Sequence, residues 1–166
     1  LSDETGSGVT VLLCDGDLGD SAAELVALVE AVNTGECDLA VAGFKVRVGG
    51  GFGIVLRFSR WAIKRRCGYL ATAPISGQRA MRLETLRAVL PFAAGYGMET
   101  AMTIDAVRAG FTVAEVELEL AHRATGRDLR GFLHRGRQLA DIARAYAARR
   151  GPDPHAELRR GGIGSA

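Results

Sequence analysis

The sequence predicts an α/β domain on three observations. Residues 9–14 form a nearly unbroken apolar run that ends in Cys14-Asp15-Gly16-Asp17-Leu18. A helix start follows directly, because Ser21 has Glu24 three residues on, the pattern of a capping box. Farther on, residues 113–120 alternate acidic and apolar side chains, as a strand with one wet face does. The first run is apolar on both faces, which is expected of a central strand covered on both sides.

The remaining elements follow in order. The helix opened by Ser21 runs to about residue 32, with Leu25, Leu28, Val29 and Val32 at helical spacing. Residues 38–44 are a second strand candidate. Gly49-Gly50-Gly51-Phe52-Gly53 is a flexible loop, since glycines carry a large ordering cost unless a partner holds them. Residues 54–66 are amphipathic, with Ile54, Phe58, Trp61 and Ala62 set against Arg57, Arg60, Lys64 and Arg65. Residues 73–79 read as a loop close to another backbone or a ligand, and residues 83–89 as a short helix stopped by Pro91. The turn Gly95-Tyr96-Gly97 precedes a helix at 98–109 that ends at Gly110, a favourable cap. In the strand at 113–120, Glu115, Glu117 and Glu119 alternate with Val116, Leu118 and Leu120. A long helix at 128–149 carries Leu129, Phe132, Leu133, Leu139, Ile142 and Tyr146 on its apolar side. Residues 1–150 are thus expected to form the domain, and the Gly/Pro/Arg-rich residues 151–166 a disordered tail. There is no internal repeat.

A chain of 166 residues can bury a sizeable core in one domain, and 48% hydrophobic with 24% charged residues suits a soluble globular protein. The net charge of +2 is too small to imply a nucleic-acid partner. Three cysteines (Cys14, Cys37, Cys67) without a Cys-x-x-Cys spacing favour a reduced, cytoplasmic protein over a disulfide scaffold or zinc site. No apolar stretch approaches the roughly 18 residues of a membrane span, and no signal peptide is recognisable. The chain begins at Leu1, and residues 3–8 read as a loop running into a strand. The expectation is a fragment whose N-terminal part is absent.

Two short stretches carry the chemistry, and each stands at the end of a predicted strand, where open α/β sheets build their sites. Asp15 and Asp17, one residue apart, suit a shared hard cation, and His122 can complete its coordination. An Asp-x-Asp pair recurs by chance in chains of this length and also forms simple Asx-turns, so its position after a strand and before a capped helix is what gives it weight. Arg123 and Arg127 flank Gly126 in the same loop as His122, and guanidinium forks bind phosphate oxygens without losing charge. A divalent ion bridging a diphosphate stabilises a departing nucleoside diphosphate, which is the chemistry of sugar-nucleotide glycosyl transfer. Glu99 stands in the first turn of a helix, where the dipole alone explains a carboxylate; the other reading makes it a general base or hydrogen-bond acceptor for an acceptor hydroxyl. The face Arg57/Arg60/Lys64/Arg65 reads either as solvated surface or as a contact for a phosphorylated acceptor or an anionic membrane.

In this order the motifs resemble the C-terminal two-thirds of family-2-like glycosyltransferases with the GT-A fold, nearest the glucosyl-3-phosphoglycerate synthases. The likeness runs over residues 9–144 and rests on four segments. Residues 11–18 are similar to the strand and Asp-x-Asp motif, and Pro74-Ile75-Ser76-Gly77-Gln78-Arg79-Ala80 to the loop nearing donor and acceptor. Gly95-Tyr96-Gly97-Met98-Glu99-Thr100 is similar to a Gly-Tyr-Gly-x-Glu segment, and Ala121-His122-Arg123 to the segment that returns a metal-binding histidine. The resemblance implies a mixed GT-A sheet flanked by helices, N-terminally truncated here. It also implies Mg²⁺ or Mn²⁺ on Asp17 and His122, Asp15 on the ribose or the metal, and Arg123 and Arg127 on phosphate. Ser76, Gly77 and Glu99 would line the acceptor side, with Glu99 catalytic. The implied partners are a nucleotide-diphosphate sugar and a small phosphorylated or hydroxyl acceptor. A polyprenyl-phosphate acceptor at the membrane surface and a non-catalytic GT-A-like binding domain are the alternatives, and peripheral membrane contact and a homodimer stay open. The strands that hold the base and ribose in that fold have no counterpart before Leu1, so the chain alone is expected to be inactive.

Overall fold

A computed structural model describes residues 8–16, 19–44, 53–118 and 129–151. Strand β1 (Thr10–Leu13) is followed by a 3-10 segment (Gly19–Leu25), helix α1 (Val26–Asn33), strand β2 (Leu39–Phe44) and helix α2 (Gly53–Cys67). Next come β3 (Arg79–Arg82), α3 (Leu83–Val89), a 3-10 turn (Gly95–Gly97), α4 (Met98–Arg108), β4 (Val113–Leu118) and α5 (Leu129–Ala148).

The strands form one mixed sheet in the order β1-β3-β2-β4. β2 runs parallel to β4, with Leu39 opposite Val113 and Phe44 opposite Leu118. β3 is antiparallel to both its neighbours. Because side chains alternate along a strand, β2 feeds two cores at once. Ala40 and Ala42 pack with Ala80 and Leu118 under Leu28, Ala31 and Val32 of α1. Leu39, Val41 and Met81 pack on the other face with Val89, Met102 and Ala106 of α3 and α4. Ile63 and Cys67 of α2 join Ala71, Ile104 and Val107 in a third cluster beside it.

Most expected elements are present within a residue or two. α3 has the expected limits, and α4 ends before Gly110, whose φ of 91° only glycine adopts without strain. Three expectations need correction. Ile54 and Trp61 are not on the buried side of α2: they are 72% and 49% exposed, and Val55, Ser59, Ile63 and Cys67 pack inward with Ala62 instead. Among the described strands β1 pairs only with β3, with Leu12 38% exposed and Val9 60%, and the strand buried on both faces is β2. The helix after Asp20 opens as a 3-10 segment, and its α-helical part starts at Val26 with no side-chain cap on Leu25. Finally, the segment read as a loop at 73–79 leads into β3, a four-residue strand concealed by arginines at both ends. The distal part of the strand at 113–120 and the expected tail at 152–166 lie outside the described residues. Among the described residues no helix is long and apolar enough to cross a membrane.

Candidate active site

The β1–β3 ladder assembles the site. Leu13 lies opposite Arg79, so continuing the antiparallel register sets Asp15 beside Gly77. A Cβ at Gly77 would sit 3.2 Å from Asp15 Oδ1 and 3.3 Å from Oδ2, which explains why a residue without a side chain stands there. Next to it, Gln78 is buried and donates from Nε2 to Asp15 Oδ2 at 2.7 Å. The Ser76 hydroxyl in turn donates to Gln78 Oε1 at 3.4 Å. Asp15 is therefore oriented by a neutral amide, which fixes the carboxylate without neutralising it.

The next residue turns the opposite way. Arg79 is completely buried, and its guanidinium donates to the Ser76 carbonyl at 2.8 Å, to Thr103 Oγ1 at 2.9 Å and to the Pro74 carbonyl at 3.5 Å. Burial lowers its pKa to about 10 while Glu99 and Glu115 hold it up, so it remains cationic at neutral pH. The far end of the same loop is clamped by Glu115 of β4, which accepts from the Thr72 N–H at 2.8 Å, the Ala73 N–H at 3.0 Å and the Thr72 hydroxyl. The wet face expected of β4 is thus used to anchor this loop.

Glu99 stands in the first turn of α4. Burial pushes its carboxyl above the ordinary range and nearby Asp15 adds to the rise, against a backbone hydrogen bond and the Arg79 cation that pull it down. Two glycines let α5 approach this end of α4. A Cβ on Gly97 would lie 2.6 Å from the Asp141 carbonyl oxygen and 2.9 Å from Ala145 Cβ. Gly95 has φ 62°, and Asp141 accepts from the Tyr96 N–H at 3.2 Å. With α5 docked there, Asp15, Gly77 and Glu99 share a cleft of about 230 Å³ with Val55 and Ile75. Tyr96, Gln138 and Ile142 also line it.

Of the residues singled out from the sequence, Asp15, Gly77 and Glu99 therefore meet in one cleft. Ser76 is buried, bonded to Gln78 through its hydroxyl and to Arg79 through its carbonyl. Asp17, His122, Arg123 and Arg127 lie outside the described residues. Among the described residues no group of three His, Cys, Asp or Glu comes together as a metal site, and two of the three expected ligands are not among them. The sequence reading assigned no role to Gln78, Arg79 or Gln138. Gln138 had a usable signal, since it shares an i, i+4, i+7 stripe of α5 with buried Ile142 and Ala145.

No protein-family model matches the chain, and neither does any curated protein. Solved structures do match, among them glucosyl-3-phosphoglycerate synthase from Mycobacterium tuberculosis, with TM-score 0.65 and 29% identity over 87% of this chain and 51% of that one. The fold is that of a GT-A glycosyltransferase. The same synthase in complex with Mn²⁺, UDP-glucose and glycerol 3-phosphate matches with TM-score 0.63 and 28% identity, over 87% of this chain and 51% of that one. Its complex with phosphoglyceric acid matches with TM-score 0.62 and 27% identity, over 87% and 51%. The chain thus spans about half the length of the GT-A enzyme it resembles.

Proposed function

We propose that the protein is a metal-dependent glycosyltransferase that moves a sugar from a nucleoside-diphosphate sugar to a small phosphorylated acceptor. The observation that carries this reading is the cleft where Asp15, Gly77 and Glu99 meet, in a chain 28% identical to an enzyme crystallised with Mn²⁺, UDP-glucose and a glycerol phosphate. The donor set fits the ion: Asp15 offers hard carboxylate oxygens, held by a neutral donor that leaves their charge intact. Asp17 and His122 would hold Mg²⁺ or Mn²⁺, with Asp15 on the metal or the ribose. Bound there, the ion would neutralise charge on the departing diphosphate. Arg123 and Arg127 would take the remaining phosphate oxygens.

Glu99 acts on the acceptor. A carboxylate lifted by burial is a better proton acceptor near neutral pH than an exposed one, so it suits a general base or a strong acceptor for the incoming hydroxyl. Gly77 leaves room beside Asp15, and Ser76 supports the wall from behind through Gln78 and Arg79. Cys14, Cys37 and Cys67 form no disulfide with one another, which suits a reducing cytoplasm.

The test is a donor screen that measures nucleoside diphosphate release with Mn²⁺ or Mg²⁺, with and without phosphoglyceric acid. Metal-dependent release that rises with a phosphorylated acceptor is expected. Absence of release with every donor, or release indifferent to chelation, would overturn the reading.

A further inference from the structure

Helix α2 presents a surface that the chemistry of the cleft leaves unused. Its fifteen residues include Arg57, Arg60, Lys64, Arg65 and Arg66 and no aspartate or glutamate. Val55, Ser59, Ala62, Ile63 and Cys67 are buried against the domain. At 3.6 residues per turn, the exposed residues Arg60, Lys64, Arg57, Trp61, Ile54 and Arg65 then fall side by side in one arc of roughly 140°. Two apolar side chains stand in that arc between Arg57 and Arg65: Ile54 is 72% exposed and Trp61 49%. Trp61 is held from behind by Phe58 and Tyr146, with ring centroids 5.5 Å and 4.9 Å away, and Arg66 sits over Tyr146 at 3.7 Å. None of Arg57, Lys64 and Arg65 forms an ion pair with another described residue.

We infer that this face of α2 docks the protein on an anionic phospholipid bilayer. Helices that lie in a membrane interface combine an exposed tryptophan and aliphatic residue with flanking cations, and each basic residue near such a surface contributes attraction to its anionic headgroups. A merely solvated face mixes charge signs and has no use for exposed isoleucine and tryptophan set between its cations. A second copy of this chain is disfavoured there, because a two-fold contact would set the cations of one α2 against those of the other. Nucleic acid would engage the cations and leave Ile54 without a partner. In the docked state Ile54 and Trp61 enter the boundary between headgroups and acyl chains, while Arg57, Lys64 and Arg65 meet phosphates. Val55, next to Ile54, lines the cleft, so the cleft would stand within about a helix diameter, ~10 Å, of the lipid surface. The docking itself does not depend on the transferase reading.

Co-sedimentation of the protein with phosphatidylcholine vesicles and with vesicles containing phosphatidylserine tests it. Binding to the anionic vesicles alone, weakening as salt is raised, is expected. Replacing Arg57, Lys64 and Arg65 together by glutamine should weaken it by about fivefold per residue, on the order of 100-fold in all. Ile54→Ser should weaken it by about tenfold with all cations in place. These positions are exposed, so an unchanged unfolding temperature is expected of every variant. Equal binding to both vesicle types, no binding to anionic vesicles at low salt, or variants that bind like the parent would each overturn the inference. So would vesicle binding that ignores Ile54→Ser and is displaced by heparin, which would mark a general polyanion surface instead.

Discussion

Gln78 donates to Asp15 across the open end of the β1–β3 ladder at 2.7 Å, from a position only 1% exposed. Its backbone carbonyl accepts from Ala42 of β2 at 3.0 Å, so the amide that orients Asp15 is itself tied to the centre of the sheet. Gln78→Leu keeps the volume and removes the donor, and the stability loss expected from one such hydrogen bond is about 1 kcal/mol. Binding of Mn²⁺ with a nucleoside diphosphate should weaken by about fivefold, roughly 1 kcal/mol. In an Asp15→Ala background the same change should have little further effect on binding, because the two residues act as a pair. Calorimetry on the four proteins measures the coupling, and additive losses would show that Gln78 does not act through Asp15.

The two close glycines should respond unequally. At Gly97 a new Cβ meets the backbone of α5 at 2.6 Å, whereas at Gly77 it meets only a side-chain carboxylate at 3.2 Å. Gly97→Ala should therefore destabilise by about 1–3 kcal/mol, as overpacking against fixed backbone does. Gly77→Ala should cost less in stability but displace Asp15 and weaken donor binding. Denaturant unfolding and calorimetry separate the two effects, and equal destabilisation by both would contradict the geometry.

Glu99→Gln should lower transfer while leaving donor affinity nearly intact. It also has a pH signature. A folded-state pKa above the unfolded value means that folded Glu99 keeps its proton to higher pH than the unfolded chain does. Stability contributed by this group is present below the unfolded pKa and falls as pH rises through the folded one. Glu99→Gln should abolish that downward slope and match or exceed the parent's stability at neutral pH. If the carboxylate were there chiefly to complement the helix dipole, the variant would instead be less stable at neutral pH and turn over normally. Unfolding free energies measured across the acidic range discriminate the two.

Asp17→Ala and His122→Ala should each weaken divalent-ion binding by about tenfold, roughly 1.4 kcal/mol. Titration of Mn²⁺ in the presence of a nucleoside diphosphate reads this directly. Unchanged affinity in both variants would place the ion elsewhere.

The sequence by itself determined the pieces whose causes are local. The limits of α3, the glycine after α4 and the extent of α2 follow from spacings of three and four residues, from Pro91 and from the φ that Gly110 must adopt. Asp15, Gly77 and Glu99 also stood out, because motif residues at the ends of elements are legible without knowing what they face. The tertiary structure decided the rest. Which side of α2 is buried depends on what packs against it: Ile54 and Trp61 read as its inner face, yet both are exposed and Val55, Ser59 and Ile63 are inside. Gln78 and Arg79 are adjacent and polar, and nothing local tells that one turns to Asp15 and the other to Thr103. That choice depends on a pairing of segments 63 residues apart, set by the path of the chain through the sheet rather than by any property of either segment.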